Sequence, residues 1–578
     1  MPFYPVPASS ATTAVAGCAA AAGSGVPPEA AGGAGMVAVR AADLVSPARR
    51  GLGEGARTAL TAAGAEKIRT GELVAFCKLV AIVPAVVRRD GQVQAAGHLA
   101  DHARLGVLEE QLDEMAGPGA IDELAGTVRL AGKVKGTARR AMTTALALRA
   151  VLLMTLMPDA DYTEVMTALL GDLADLPWSR PYAVPSPAVL SAWRAAIGPQ
   201  PLERLQQMVL AAACAEHDEH GYRTVHAGEL RLGSIDGTVT RMPDTPANRA
   251  AFGSTGTGDD SAPYPQLRGL LISDASTRGA LGVVTGPSGG EKAEAEQKLL
   301  DRALKECQHL FTPGRLWVLD RNFPGAARIK KMLATGTHVL IRVKSDVPLR
   351  QVGGFLPDGS YLAELSGGGV TFTVRVIEYL ITVAGQDTAG LFCLITDLLD
   401  HVAHPAGQLA AAYRWRWDGS ETALKEAKSA ISGAGPSTGP IFRSQSPGLV
   451  QQEHAAWVTA TELVRATARA AARRAAPAVK GGRAGQPVHP REVSFTACRR
   501  TAIAAVRHGK ATASLPRQVI TASCRAVIAA IGKRRVQVDR NRHRDHKTKA
   551  RQAFPNAPRG LPTRTATAQI SICGPLAA

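Results

Sequence analysis

The sequence lacks paired cysteine motifs, long apolar runs and internal repeats. Its eight cysteines are scattered without a CxxC pair, so we expect neither a disulfide framework nor a thiolate zinc site. The best apolar run, Leu146–Met157, contains Arg149 and is too short for a membrane span, which favours a buried helix. No charged segment followed by an apolar core opens the chain, so no export signal is expected. These absences predict a protein of a reducing, cytoplasmic compartment.

Acidic residues are fewer than basic ones. The chain has 49 Asp and Glu against 67 Lys and Arg, a formal net charge of +18 and a pI near 9.8. Such a surplus favours a polyanionic partner, nucleic acid first and an anionic membrane second. A GC-rich genome that inflates the arginine content is the alternative explanation of the charge.

The composition changes along the chain and divides it into four segments. Residues 1–55 are rich in Ala, Gly, Pro and Ser, which is typical of a disordered low-complexity segment. Residues 56–225 have helical patterns and predict an α-helical N-terminal domain. Residues 226–475 alternate between strand and helix patterns and predict an α/β catalytic domain with a β-rich insertion at about 345–400. Residues 476–578 form a C-terminal segment with a basic tail.

The order of the predicted elements indicates the fold of the third segment. Three strand-like stretches are followed by a helix, a buried strand, a short helix and a fifth strand. These stretches are ELRLGSIDGTVTRM, QLRGLLISD, ALGVVTG, GGEKAEAEQKLLDRALKECQHL, RLWVLD, AARIKKMLATG and HVLIRVK. Three strands, a helix, a strand, a helix and a strand is the order of the ribonuclease H-like fold, which we therefore expect.

Three carboxylates in this segment suit a shared metal site. Asp236 interrupts a strand of apolar residues and Thr, Asp320 ends the apolar run LWVLD, and Glu421 opens the helical stretch ETALKEAK. Mg²⁺ prefers oxygen ligands, and two such ions can clamp the attacking and the leaving oxygen of a phosphodiester. The pattern predicts a two-ion magnesium site, in which Mn²⁺ could replace Mg²⁺.

Each carboxylate also has a structural explanation. An aspartate at a strand edge is more often structural than functional, and Glu421 shares a helix face with Lys425 and Lys428, as in an ordinary surface ion pair. The residues before Glu421 argue against that explanation, because aromatic rings offer faces for unstacked bases and arginine binds phosphate bidentately. These residues are Tyr413, Arg414, Trp415, Arg416 and Trp417.

The quoted motifs resemble those of DDE-type transposases of bacterial insertion sequences. The resemblance is to the insertion-sequence-four-like group, whose third motif is Tyr-x2-Arg-x3-Glu-x6-Lys. DGTVTRMPDTPANRAAFG, LDRNFPG and YRWRWDGSETALKEAK resemble its three carboxylate motifs in the right order. Further blocks on both sides extend the resemblance over roughly residues 140–510.

The resemblance implies a function and a role for individual residues. Asp236, Asp320 and Glu421 would be the catalytic metal ligands, while Tyr413, Arg416 and Lys428 would contact phosphates at the transposon end. The family cuts DNA at terminal inverted repeats and joins the freed 3′-hydroxyl to target DNA. Its members work as dimers or larger assemblies on double-stranded DNA, so we expect homo-oligomerisation and no membrane partner.

The chain departs from the family pattern at one point. Four residues separate Arg416 from Glu421 instead of three, which leaves Asp418 and Glu426 as alternative third carboxylates. Helix geometry favours Glu421, because Glu426 would point some 140° away from it and its replacement is expected to have little effect. Asp418 precedes a Gly-Ser pair and is interpreted as a helix cap.

Basic residues are concentrated near the C-terminus. Nine of the nineteen residues from Lys533 to Arg551 are Lys or Arg, which predicts either a phosphate-binding arm or a solvated tail. The predicted DNA contacts, in addition to Trp417, are Lys533, Arg534, Arg535, Arg540, Arg542 and Arg544. Two rival functions stay open: a ribonuclease H-like nuclease without strand transfer, and an inactive or domesticated DNA-binding copy.

Overall fold

The structure is a computed structural model, and it describes most of the middle of the chain. The described residues are 105–131, 142–174, 184–219, 225–226, 230–255, 264–291, 293–344, 347–383, 390–428, 441–475, 487–508, 527–528, 531 and 568–574. The predicted low-complexity segment and the basic cluster at 533–551 lie outside them. The positions of the three boundaries between the four predicted segments stay a prediction.

Six helices precede the sheet among the described residues. They are α1 (Val107–Ala116), α2 (Ala120–Thr127), α3 (Thr144–Leu156), α4 (Tyr162–Ala174), α5 (Pro187–Ile197) and α6 (Gln200–Glu219). Local signals set their ends: the Thr143 hydroxyl accepts a hydrogen bond from the Leu146 N–H at the start of α3, and Ser186 and Pro187 open α5. The apolar run that could be mistaken for a membrane segment is α3, and it is buried.

Two later helices complete the helical part. They are α12 (Pro447–Arg474) and α13 (Phe495–His508). Side chains of α12 share one apolar core with those of α1, α3, α5, α6 and α13. The N-terminal helices therefore pack around a helix from the C-terminal half and do not have a core of their own.

The remaining elements form one large mixed sheet and the helices next to it. The strands are β1 (Val225–His226), β2 (Leu230–Arg241), β3 (Gln266–Asp274), β4 (Ala280–Pro287), β5 (Arg315–Leu319), β6 (His338–Arg342), β7 (Leu349–Phe355), β8 (Tyr361–Gly367), β9 (Val370–Val383), β10 (Gly390–Thr396) and β11 (Ala568–Ile572). The helices are α7 (Pro246–Phe252), α8 (Glu296–Glu306), α9 (Ala326–Leu333), α10 (Ala406–Tyr413) and α11 (Thr422–Glu426). The expected mixed α/β class is confirmed.

The first five long strands form the half of the sheet that carries the predicted site. Their order is β4-β3-β2-β5-β6, with β2, β3 and β4 antiparallel and β5 and β6 parallel to β2. Helices α8 and α9 connect β4 to β5 and β5 to β6. Along β5 the side chains alternate: Trp317 and Leu319 face the core with α8 and α9, while Leu316 and Val318 face the core with α10.

One glycine is required where two of these strands meet. Gly233 on β2 pairs with Trp317 on β5, and a Cβ on Gly233 would lie 2.2 Å from the indole ring. The ring therefore lies over the glycine, and a larger residue on β2 would push β5 out of register.

Strands β7 to β10 lie between the second and third predicted carboxylates. Strand β10 pairs with β6, and β9, β8 and β7 follow it in antiparallel order. The predicted β-rich stretch therefore extends the core sheet at one edge. Strand β11, from the C-terminal segment, pairs with β9. None of the described helices is both long and apolar enough to cross a membrane.

Candidate active site

Asp236 and Asp320 lie side by side on two neighbouring strands. The parallel register pairs Ile235 of β2 with Leu319 of β5, so the next residues on the two strands are the two aspartates. Adjacent strands are about 4.8 Å apart, which brings the carboxylates close enough to repel each other. The site lies where β5 ends, at the edge where open α/β sheets bind ligands.

Asp236 is a mostly buried carboxylate. Burial is the largest influence on Asp236 and raises its pKa, Arg416 lowers it, and the negative charge of Asp320 raises it. The net result of all the contacts is a pKa of about 6. The Ser420 hydroxyl donates a hydrogen bond to Oδ2 at 3.1 Å, and the Gly237 N–H donates one to Oδ1 at 2.9 Å. The cost of burying the charged form therefore outweighs the favourable contacts of this carboxylate.

Asp320 organises the loop that follows β5. Its Oδ1 accepts a hydrogen bond from the backbone N–H of Asn322 at 2.8 Å. This contact folds the chain into a turn directly after the strand and holds the carboxylate at the end of the sheet.

Glu421 reaches the same place from a helix, through an arginine. Arg416 donates from Nη2 to Glu421 Oε1 at 2.6 Å and from Nη1 to Asp236 Oδ2 at 3.4 Å. The guanidinium, whose side chain is only 8% exposed, therefore bridges the first and third predicted carboxylates. The structure thus brings Asp236 next to Arg416 and Glu421, which lie far from it in the sequence.

The extra residue between Arg416 and Glu421 is absorbed by a π-helical turn. Residues Trp417–Glu421 form this turn, and the Thr422 N–H bonds to the carbonyl of Trp417, five residues earlier. A π turn places residues i and i+5 on one face. Arg416 and Glu421 thus face each other despite the longer spacing, and such turns are frequent at functional sites.

A glycine lets this turn pack closely against the sheet. A Cβ on Gly419 would lie 2.7 Å from Ser234 Oγ and 2.8 Å from the Cα of Ala275. The Ser273 hydroxyl also donates to the Gly419 carbonyl at 2.9 Å. These contacts fix the distance between the Glu421 turn and the strand that carries Asp236.

The other residues of the third motif occupy different environments. Tyr413 is buried at 2% exposure, and its hydroxyl donates to the Leu319 carbonyl at 3.3 Å, so the structure gives it a supporting contact under Asp320. Trp417 is half exposed, with the Arg416 guanidinium 5.0 Å from its ring centre. Burial lowers the pKa of Lys428, against the opposing charges of Asp236 and Glu421. Contact of these residues with DNA stays a prediction.

Of the two alternative third carboxylates, Glu426 and Asp418, the structure describes the side-chain contacts of Glu426. Glu426 pairs with Arg278 at 2.9 Å and with Arg465 at 3.0 Å, so it is engaged in an ion-pair network away from Asp236. The expectation that its replacement has little effect is untested, but these contacts predict a loss of stability, because Glu426 neutralises two nearly buried arginines. The side chain of Asp418 lies outside the described part of the structure.

Glu296, at the start of α8, is a fourth carboxylate that the sequence argument missed. A Cβ on Gly237 would lie 2.0 Å from Glu296 Oε1, so the carboxylate lies directly over the residue that follows Asp236. Burial raises the pKa of Glu296, and the charge of Asp320 contributes. In the sequence it looks like any polar residue of an amphipathic helix, and only its position at the helix start marks it.

The carboxylates at this site have the chemistry that suits a hard cation, but two of them are ion-paired with Arg416. Carboxylate oxygens are the preferred ligands of Mg²⁺, and burial raises the pKa of Asp236, so a bound cation would stabilise its charged form. Among the described residues, no group of three or more His, Cys, Asp or Glu side chains is arranged to hold a metal ion. Arg416 lies between two of the carboxylates, so an ion at this place would compete with its guanidinium. The predicted basic contacts Lys533, Arg534, Arg535, Arg540, Arg542 and Arg544 lie outside the described residues.

Comparison with known proteins agrees with the motifs. No family model matches the chain. The transposase InsG of insertion sequence element IS4 from Escherichia coli (strain K12) is 25% identical over 303 residues. The chain is similar to an insertion-sequence transposase. The match covers 50% of this chain and 62% of that relative, and it confirms the resemblance that the three motifs indicated.

A solved structure also aligns with the chain at low similarity. It is the cryo-EM structure of the piggyBac transposase synaptic complex with hairpin DNA, with a TM-score of 0.36 and 14% sequence identity. The alignment covers 75% of this chain and 85% of the other. A TM-score this low carries no argument about the fold or function of this chain.

Proposed function

We propose that the chain is a DNA transposase that cuts transposon ends at terminal inverted repeats and joins the freed 3′-hydroxyl to target DNA. The observation that carries the proposal is the convergence of the three motifs of an insertion-sequence transposase. The β2–β5 register puts Asp236 beside Asp320, and Arg416 links Asp236 to Glu421. The similarity to the IS4 transposase supports the same reaction class.

The catalytic core has a ribonuclease H-like fold in this proposal. Its support is the strand order β4-β3-β2-β5-β6 together with the strand directions. In this topology β2, which comes first of the five strands along the chain, lies in the middle of them. It is parallel to β5, the fourth of the five. The first carboxylate on β2 and the second after β5 are then neighbours as a consequence of the fold.

Two Mg²⁺ ions are the proposed cofactor, with Mn²⁺ as a possible replacement. Asp236, Asp320 and Glu421 would hold them, and Glu296 is close enough to contribute. Bound divalent ions would activate the attacking oxygen and neutralise charge on the phosphate. The donor set supports this choice, since all four side chains offer only carboxylate oxygens.

The positively charged side chains at the site have a different proposed role, which is to bind DNA. Arg416 and Lys428 lie among the carboxylates, and both are positioned to bind a phosphate oxygen once DNA enters. The half-exposed ring of Trp417 would stack on an unpaired base. Double-stranded DNA is the proposed partner, with the transposon end as substrate and a second duplex as target, bound by a homodimer or a larger assembly.

The test uses the purified full-length protein and DNA from both flanks of its gene. Wild type should cut an end fragment in Mg²⁺ and join it to a plasmid. Asp236→Asn, Asp320→Asn and Glu421→Gln should each lose cleavage by several orders of magnitude and keep DNA binding, because most affinity comes from basic contacts to phosphate. Glu123→Gln, at an exposed carboxylate of α2, is the matched control and should retain activity.

Three outcomes separate the rival functions. Full cleavage by any of the three carboxylate variants would refute the site. Cleavage without joining would favour a nuclease that lacks strand transfer. DNA binding without any Mg²⁺-dependent cleavage by wild type would favour an inactive or domesticated copy.

A further inference from the structure

A pocket of about 460 Å³ lies directly beside the candidate active site. One wall is the loop after β5, with Arg321, Asn322 and Gly325, and the other is the turn between β8 and β9 at Ser366 and Gly367. Its volume is within the range of small-ligand sites. It is large enough for one nucleotide unit with its hydration.

The described lining of this pocket is cationic. Arg321, Arg328 and Lys344 contribute to it, and none of its described lining residues is acidic. Arg328 is paired with Asp301 at 3.6 Å. Arg321 and Lys344 have no ion-pair partner among the residues that the structure describes, so their charges are available to an anion.

The pocket and the carboxylates share one loop. Arg321 follows Asp320 directly, and the Asn322 N–H binds the Asp320 carboxylate at 2.8 Å. Gln297, the neighbour of Glu296, donates to the Asn322 carbonyl at 2.6 Å and also lines the pocket. A nucleic-acid strand with one phosphate at the carboxylates would therefore pass the pocket within a nucleotide or two.

The second wall comes from the β-rich stretch and is made mostly of backbone. The turn between β8 and β9 contains Gly368 with φ +60°, and a Cβ on it would lie 2.9 Å from Ala327 Cβ. The turn therefore packs closely against the first turn of α9. With glycines at this turn, few side chains obstruct the pocket.

We propose that this pocket binds a backbone phosphate of the DNA strand, one or two nucleotides from the phosphate at the carboxylates. The inference rests on the proposed function and assigns a DNA-positioning role to Arg321, Lys344 and the β8–β9 turn. Two cations of the core loops hold the phosphate, and the β8–β9 turn confines the strand.

The experiment compares two charge-matched double variants of the full-length protein. Arg321→Ala/Lys344→Ala removes the unpaired pocket cations, and Lys305→Ala/Lys330→Ala removes two exposed lysines of α8 and α9 outside the pocket. Binding to a random-sequence duplex is measured over a range of salt concentrations. Each lost phosphate contact lowers the slope of log K against log salt by about 0.9. We expect the slope of the pocket variant to fall by an amount that corresponds to one or two lost phosphate contacts. The control variant should keep the wild-type slope.

Cleavage of the end fragment gives a second readout. At saturating DNA, the single-turnover rate of the pocket variant should fall by about tenfold to a hundredfold, because a displaced strand misplaces the reacting phosphate. Ser366→Glu tests the opposite wall by placing an anion in the pocket and should slow cleavage similarly. Thr373→Glu, at an exposed residue of β9 outside the pocket, is its control and should not slow cleavage.

The outcomes separate this inference from the proposed function. If both double variants bind and cleave alike while wild type is active, the pocket assignment is wrong and the function stands. If wild type binds DNA but does not cleave it, the function fails, and the difference in salt slope still decides the pocket. If wild type does not bind DNA, both proposals are refuted.

Discussion

Two clusters of buried charge in this protein differ in their balance. In the helical part, Arg469 of α12 binds Glu462 at 2.7 Å and Glu216 at 2.8 Å, and Arg465 and Arg278 share Glu426. Every member of this helical network faces a partner of opposite charge. The candidate active site instead has four carboxylates around three cations. They are Asp236, Asp320, Glu421 and Glu296, around Arg416, Lys428 and Arg268.

The difference indicates which cluster is structural and which could bind a cation. A balanced buried network is self-sufficient, and removing one partner leaves an uncompensated charge. A buried site with more carboxylates than cations keeps an unfavourable negative charge. At Asp236, burial and the charge of Asp320 outweigh Arg416 and raise the pKa to about 6. We therefore expect opposite effects of mutation in the two regions.

The largest expected effect on stability is in the helical network. Arg469→Met should lower the free energy of unfolding by about 3–5 kcal/mol, because it leaves Glu462 buried without its arginine. Both side chains are fully buried, so solvent cannot replace the contact. Denaturant unfolding followed by circular dichroism measures the loss. Arg350→Met, at an exposed pair with Glu364, should change stability by less than about 1 kcal/mol; equal losses in the two variants would contradict the comparison.

The second prediction is that removing a charge at the active site raises the stability of the protein instead of lowering it. Burial raises the pKa of Asp236 from 3.8 to about 6, so the folded protein holds a proton that the unfolded chain has released between these pH values. Stability therefore falls as pH rises from about 4 to 6. Without metal, Asp236→Asn should be more stable than wild type above pH 6, by at most about 3 kcal/mol.

Unfolding curves in a chelator at several pH values check this prediction. The difference between wild type and Asp236→Asn should disappear below about pH 3, where both the folded and the unfolded aspartate are protonated. Adding Mg²⁺ should stabilise wild type more than the variant, because only wild type retains the carboxylate that would bind the ion. A variant less stable than wild type at every pH would show that the Arg416 contact outweighs the burial cost.

Glu426→Gln should give an intermediate effect. A glutamine keeps the shape but loses the charge that faces Arg278 and Arg465, so we expect a loss of about 1–3 kcal/mol. Because Glu426 lies five residues after Glu421 in the same helical stretch, cleavage should also decrease modestly through a small shift of that helix. Cleavage as low as that of Glu421→Gln would make Glu426 the third carboxylate and overturn the assignment.

The smallest effect on stability is expected at Trp417. Its side chain is half exposed, so Trp417→Ala should leave the free energy of unfolding nearly unchanged. Binding of single-stranded DNA should weaken by about 1–3 kcal/mol if the ring stacks on a base. Fluorescence anisotropy with a labelled oligonucleotide measures this change, and Phe at the same position should restore most of the affinity.

Local sequence patterns predicted much of the fold. The strand–helix order of residues 230–342 follows from alternating and amphipathic stretches, and the structure has each of those elements. Asp236 and Asp320 could be singled out because a carboxylate within or after a buried strand is costly without a partner. The chain order of these elements then implied that the two residues would meet.

Other features could not be predicted from local patterns. Glu296 looked like an ordinary polar residue of α8, since its approach to Gly237 depends on how that helix packs on β2. The pairing of β11 with β9 joins residues nearly two hundred positions apart. A truncation from residue 533 would therefore be an unsuitable test of the basic tail. It would remove a strand of the sheet together with the basic cluster.

The sequence by itself determined which residues are strand, helix and carboxylate, because side-chain periodicity and burial cost act within a few residues. Only the tertiary structure decided which of those carboxylates are compensated. Arg416 meets Glu421 because a π turn absorbs one extra residue, and it meets Asp236 because Gly419 lets that turn touch the sheet. Electrostatic balance depends on distances between elements, and those distances are set by packing across the whole fold.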